Sequence, residues 1–258
     1  MLNLLATLNI YQRPRLYSAT SEFHLLRRCL LYYPNLNILY TYIPKNACST
    51  LKYTLGVHSG IISQKDNPHE TEHLFYCADK YALYPSNCRT VICFREPFER
   101  ILSAYLDKFA RTPVQMEALA VIAYLQTRDL KKSKGKSISF LEFIYFLSQV
   151  SNHDLDAHWR PQIDFIFFDK YTDILCLEQL SSQWQQKFPQ SPLLNYTKHS
   201  HIKTKSDKYY YAVNGEQLAI EFPNRHFPNQ ASFMNPEIQQ LFNQRFQDDL
   251  MLYQSLTQ

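Results

Sequence analysis

Leu39-Tyr-Thr-Tyr-Ile-Pro-Lys-Asn-Ala-Cys-Ser-Thr-Leu-Lys-Tyr53 runs an apolar strand into a turn of small residues carrying one lysine and two hydroxyls, then into a helix. That layout cradles an anion: the helix presents unpaired backbone N–H groups and its positive dipole end to whatever the strand delivers there. Lys45 adds a full charge, and Ser49 and Thr50 add hydroxyl donors. The turn is not a Walker loop, because the lysine precedes the small residues and no glycine occurs before Gly56, so ATP is not the default ligand. Taken alone, a polar turn capping a helix through Asn46 or Ser49 would look much the same.

Arg89-Thr-Val-Ile-Cys-Phe-Arg-Glu-Pro-Phe-Glu-Arg-Ile-Leu-Ser-Ala-Tyr105 repeats the pattern: a buried strand, charged residues, then a helix with Pro97 in its first turn. Arg95 falls at the end of the strand and Ser103 about two turns into the helix, a pair suited to a second phosphate. Open α/β sheets bind ligands beyond the carboxyl ends of their parallel strands, so two such turns suit the two ends of one nucleotide.

Together these segments resemble the carbohydrate sulfotransferases, in particular the chondroitin/dermatan branch of sulfotransferase family 2. The resemblance continues in order through Phe140–Leu147, Asp156-Ala-His-Trp-Arg-Pro-Gln162, Phe168–Leu180 and Phe246–Tyr253, and so covers residues 38–255. It implies a P-loop NTPase-like sulfotransferase fold, a single α/β domain with a parallel sheet flanked by helices, preceded by an extension over residues 1–37. It also implies 3′-phosphoadenosine 5′-phosphosulfate (PAPS) as donor and a carbohydrate or glycoconjugate hydroxyl as acceptor. In the family's pattern Lys45, Asn46, Ala47, Cys48, Ser49 and Thr50 bind the 5′-phosphosulfate, Arg95 and Ser103 the 3′-phosphate, and Lys203 and Lys205 match loosely a basic loop over the nucleotide. The family often has Asp where this chain has Glu96.

In-line transfer of a sulfuryl group resembles phosphoryl transfer, in which positioning and charge stabilisation dominate. Lys45 is the electrostatic part. A sugar hydroxyl also needs a base, and of the nine histidines His73, His158 and His69 are the candidates, the first two favoured. No metal is expected: His199 and His201 lack accompanying ligands at metal spacing.

Composition agrees. The chain has 258 residues, 45% hydrophobic, with four glycines and a net charge of +4, which suits one good core and an anionic ligand but falls short of a nucleic-acid signal. The basic run Lys131–Lys136 reads as a solvated loop. The six cysteines lack paired spacing and read as reduced thiols. With no secretory signal and no long apolar run, the expectation is a soluble, bacterial-type cytoplasmic enzyme, with peripheral membrane association and oligomeric state left open.

Strands are expected near 37–43, 89–95, 163–168 and 173–177, and helices over 48–56, 97–110, 114–129, 138–149, 178–187 and 235–254. Three alternatives accompany the sulfotransferase reading: a sulfotransferase acting on a small-molecule or lipid alcohol, a P-loop-like kinase, and a non-catalytic nucleotide- or glycan-binding module.

Overall fold

A computed structural model describes residues 29–75, 87–111, 114–196 and 206–258. Lys203, Lys205, Cys77 and the His199–His201 pair lie outside the described residues. The chain forms two compact units, the first from residues up to Glu96, 161–197 and 253–258, the second from 97–160 and 198–252.

The first unit carries a four-stranded sheet in sequence order: β1 (Leu30–Tyr33), β2 (Ile38–Thr41), β3 (Arg89–Phe94) and β4 (Asp173–Cys176). The strands β2, β3 and β4 run parallel, and their near-continuous apolar, buried sequences are what a sheet covered on both faces requires. The strand β1 adds an antiparallel edge to the expected parallel sheet. Its turn back into β2 passes through Asn37, which takes the left-handed backbone that Asn tolerates better than most residues. Arg89 fixes the register of β3 against β4 with a two-pronged bond to the buried Asp173, both contacts 2.9 Å.

The strand expected at 163–168 is instead a 3-10 turn, Gln162–Phe165, followed by an irregular stretch. The inner strand β3 is already paired on both sides by β2 and β4, and the Gln162 side chain instead closes off its end, accepting from Arg95 N–H and donating to Arg95 C=O. The Phe167 N–H likewise donates to the Tyr171 hydroxyl rather than to a strand. Helices α1 (Cys48–His58) and α5 (Leu180–Lys187) complete this unit, with the last turn of α8 (Gln247–Thr257).

The second unit is helical. It contains α2 (Pro97–Lys108), α3 (Met116–Thr127), α4 (Phe140–Gln149), α6 (Gly215–Glu221), α7 (Pro236–Arg245) and the first part of α8. The helix expected over 235–254 is broken at Phe246. Phe98, Ile101, Leu102 and Tyr105 fall at helical spacing on α2 and pack with Phe140, Phe143, Trp159 and Phe242 into an aromatic core. Trp159 is spent on that core rather than on an open surface.

Ser139 and Glu142 form a reciprocal capping box at the start of α4. The same carboxylate accepts from the backbone N–H groups of Lys132 and Ser133, so the basic run curls around one acid. Lys131 and Lys132 turn their ammonium groups onto carbonyls of their own loop. Burial pushes the Glu142 carboxyl up, but the hydrogen bonds from Ser139 and Ser133 outweigh it and hold it below its ordinary 4.5. A depressed folded-state value means stability is fully present above about pH 4.5 and is lost as pH falls through the folded value. Thermal melts between roughly pH 3 and 6 should show that loss in the wild type and a flatter profile in Glu142→Gln; equal slopes would refute the assignment.

No helix among the described residues is long and apolar enough to cross a membrane.

Candidate active site

In the first unit, β2 ends at Thr41 and the chain turns through Pro44 and Lys45 into α1. Lys45 and Ala47 both take positive φ, 73° and 54°, at positions where other phosphate loops would place glycine. Each costs about 1–2 kcal/mol, so the loop holds its shape only because its surroundings impose it.

Asn46, between them, is the residue that imposes it. It is fully buried, and its amide donates to Cys93 C=O at 2.9 Å and to Gln162 Oε1 at 2.5 Å. Both amide contacts of Asn46 thus go to protein. Gln162 carries the constraint onward to the N–H and C=O of Arg95, and Arg95 Nη1 donates to Lys45 C=O at 3.0 Å. One side-chain amide thus ties the lysine-bearing turn to the end of β3. Gln162 belongs to the block read above as Asp156–Gln162, but nothing in its residue type marked it for this role.

The loop delivers α1 with its N-terminus uncapped. Ala47 stands at the N-cap with no side-chain hydrogen bond, and the first intrahelical bond runs from Leu51 N–H to Ala47 C=O. The N–H groups of Cys48, Ser49 and Thr50 therefore sit at the positive end of the helix, without a side chain that competes for an anion. Half-buried Lys45 and Arg95 supply the positive charge on the turn and at the strand end. These features fit a phosphate- or sulfate-bearing ligand.

His69 also belongs to this neighbourhood. Its Nε2 lies 2.7 Å from Ser49 Oγ and its Nδ1 lies 3.2 Å from Lys52 Nζ, so both ring nitrogens are engaged next to the loop. The backbone of His69 is set by Asn67, whose side-chain oxygen accepts from the His69 N–H. His73, four residues on, is exposed and donates Nδ1–H to Glu70 C=O at 2.8 Å.

In the second unit, Ser103 lies half-buried on the second turn of α2. Arg100, one turn before it, is wholly buried and donates to the carbonyls of Ala157 and Arg160. That clamp holds the turn bearing His158. Asp156 accepts from both the backbone N–H and the Nδ1–H of His158, at 2.9 and 2.6 Å. A carboxylate on Nδ1 fixes the tautomer and leaves Nε2 with its lone pair. Burial pushes the Asp156 carboxyl up, yet the bond from His158 holds it lower than usual overall.

The five described cysteines are reduced thiols outside any disulfide. Burial pushes the Cys88 thiol up to about 11, and shifts Cys93 and Cys176 in the same direction. These three are uncharged thiols at neutral pH, which suits packing rather than nucleophilic attack. Among the described residues, no group of three or more His, Cys, Asp or Glu side chains gathers to hold a metal.

Comparison with known proteins bears on the same segments. Carbohydrate sulfotransferase 14 from Danio rerio is 26% identical over 234 residues, covering 77% of this chain and 63% of its own length. Carbohydrate sulfotransferase 14 from Mus musculus is 30% identical over 148 residues, 53% of this chain and 39% of the relative. Carbohydrate sulfotransferase 8 from Mus musculus is 28% identical over 137 residues, 47% of this chain and 33% of the relative. The chain thus spans less than two thirds of the length of these relatives. No solved structure matches it. The sequence profile of the sulfotransferase family matches residues 29–254, from just before the first strand into α8. With the lysine turn, the arginine-ended strand and the histidine block all inside that match, the chain belongs to the sulfotransferase family.

Proposed function

We propose that the protein transfers a sulfuryl group from PAPS to a hydroxyl of a carbohydrate or glycoconjugate. The observation that carries this reading is the lysine turn, held in a strained shape by Asn46 and Gln162 and opening onto an uncapped helix end. Membership of the sulfotransferase family supports PAPS as the donor, and the names of the relatives support a carbohydrate acceptor.

In this reading Lys45 and the first N–H groups of α1 hold the 5′-phosphosulfate, and Arg95 holds the 3′-phosphate. A histidine base takes the proton from the acceptor hydroxyl as the acceptor oxygen attacks sulfur, and His158, whose Asp156 partner leaves Nε2 with its lone pair, is the candidate this chain offers. The S–O bond to the 5′-phosphate breaks, its electron pair stays on the phosphate oxygen, and Lys45 stabilises the charge that builds there. The products are the sulfate ester and 3′-phosphoadenosine 5′-phosphate (PAP).

Calorimetric titration with PAP, ADP and ATP tests the donor. PAP should bind well ahead of the other two, and Arg95→Ala should remove most of that preference, by about tenfold or more for one charge-assisted contact. Equal binding of ATP, or no binding of PAP, would refute the PAPS assignment. Turnover with a sugar acceptor, set beside a simple alcohol, then tests the acceptor class.

A further inference from the structure

We infer that Lys52 and His69 are positioning residues that turn the Ser49 hydroxyl outward as a hydrogen-bond donor to the sulfuryl donor. This rests on the proposed donor reading for its purpose, but not for its geometry.

A lysine ammonium has only donors, so a Lys52 Nζ to His69 Nδ1 distance of 3.2 Å requires Nδ1 to accept. An imidazole that accepts at Nδ1 is neutral and carries its proton on Nε2. The Nε2–H then donates to Ser49 Oγ at 2.7 Å. With its oxygen already accepting, Ser49 keeps its own O–H hydrogen for another partner. Ser49 is the second residue of α1, in the turn whose backbone N–H groups are uncapped. A phosphate or sulfate oxygen there is an acceptor with no hydrogen of its own, so only this arrangement of the three side chains serves it.

The placement of Lys52 supports a built device rather than a surface contact. Lysine is almost never fully buried unless it is paired, yet Lys52 is 3% exposed on α1. Its ammonium lies 4.3 Å from the centroid of the Tyr42 ring, at the end of the strand that feeds the loop. Lys52 and Ser49 are three residues apart on one helix and so share a face, and His69 bridges them from the following loop. His69 is exposed, so its removal leaves the core intact.

Two readouts test the inference. Long-range ¹H–¹⁵N correlation of the histidine rings should show His69 as the Nε2–H tautomer in the wild type, and that signature should be lost in Lys52→Met and retained in Lys52→Arg. PAP titration should show about tenfold weaker binding for Ser49→Ala, His69→Ala and Lys52→Met. Lys52→Met should cost nothing more when Ser49 is already alanine. An Nδ1–H tautomer in the wild type overturns the inference whatever the nucleotide does. So does a Lys52→Met or His69→Ala loss that is equally large in the Ser49→Ala background, because that is what a purely structural role would give. Absence of PAP binding in the wild type would instead refute the donor reading, and the tautomer would still decide the geometry. Should Lys52→Met fail to fold, His69→Ala with and without Ser49→Ala carries the same comparison.

Discussion

Replacement of Lys45 by alanine should reduce kcat by about 10²–10³-fold, the range found when a single preorganised donor at a developing negative charge is removed. PAP affinity should fall much less. The asymmetry follows from when the charge appears: as the S–O bond stretches, negative charge grows on the phosphate oxygen that is leaving, so a cation on the turn is worth more in the transition state than in the ground state. Lys45→Arg should recover little, because a planar fork does not replace a compact point charge. Single-turnover assays of sulfate-ester formation, paired with PAP titrations, separate the two effects. A raised KM with unchanged kcat would mean that Lys45 contributes only uniform binding, and would withdraw its catalytic assignment.

His158→Ala should lower kcat/KM by roughly 10²–10⁴-fold, the usual contribution of a positioned base. Asp156→Asn should also be damaging while leaving the ring in place, since an amide can present a donor to Nδ1 and favour the wrong tautomer. His73→Ala should be nearly silent. Among the described residues the ring of His73 bonds only to the Glu70 carbonyl on an exposed turn, whereas His158 has a carboxylate behind it and a turn clamped by buried Arg100. Turnover lost in His73→Ala and kept in His158→Ala would transfer the role to His73.

The parts of the site legible in the sequence were those in which chemistry and local structure coincide. The turn after β2 and the end of β3 each combine a periodic signal with residue types that hold anions, and both stand where the reading put them. What escaped depends on contacts between distant segments. Gln162 is an uncharged amide in a loop, and only the fold reveals that it spans Asn46 and Arg95. Lys52 reads as an ordinary helix lysine until its burial is seen. The strand β1 is a four-residue apolar run, too short to be separated from any other buried segment by its period. The 163–168 stretch failed for the opposite reason: its apolar run reads as a buried strand, but Phe165, Phe167 and Phe168 are buried without joining the sheet. At Phe246 the apolar spacing runs on through the break, so period alone could not find it.

The Asn46–Gln162 contact joins residues 116 positions apart. The shape of the lysine turn is therefore a long-range product: its two positive-φ residues are unfavourable for the isolated segment, and what overcomes them comes from Cys93 and Arg95, 47 and 50 positions on, and last from Gln162, 116 positions on. Bringing such distant partners together carries a loop-closure cost that local structure does not. A nascent chain that has left the ribosome only as far as α4 holds the whole donor motif as sequence but lacks the Gln162 brace that completes its conformation. The ability to recognise an anion there emerges as a late event in folding.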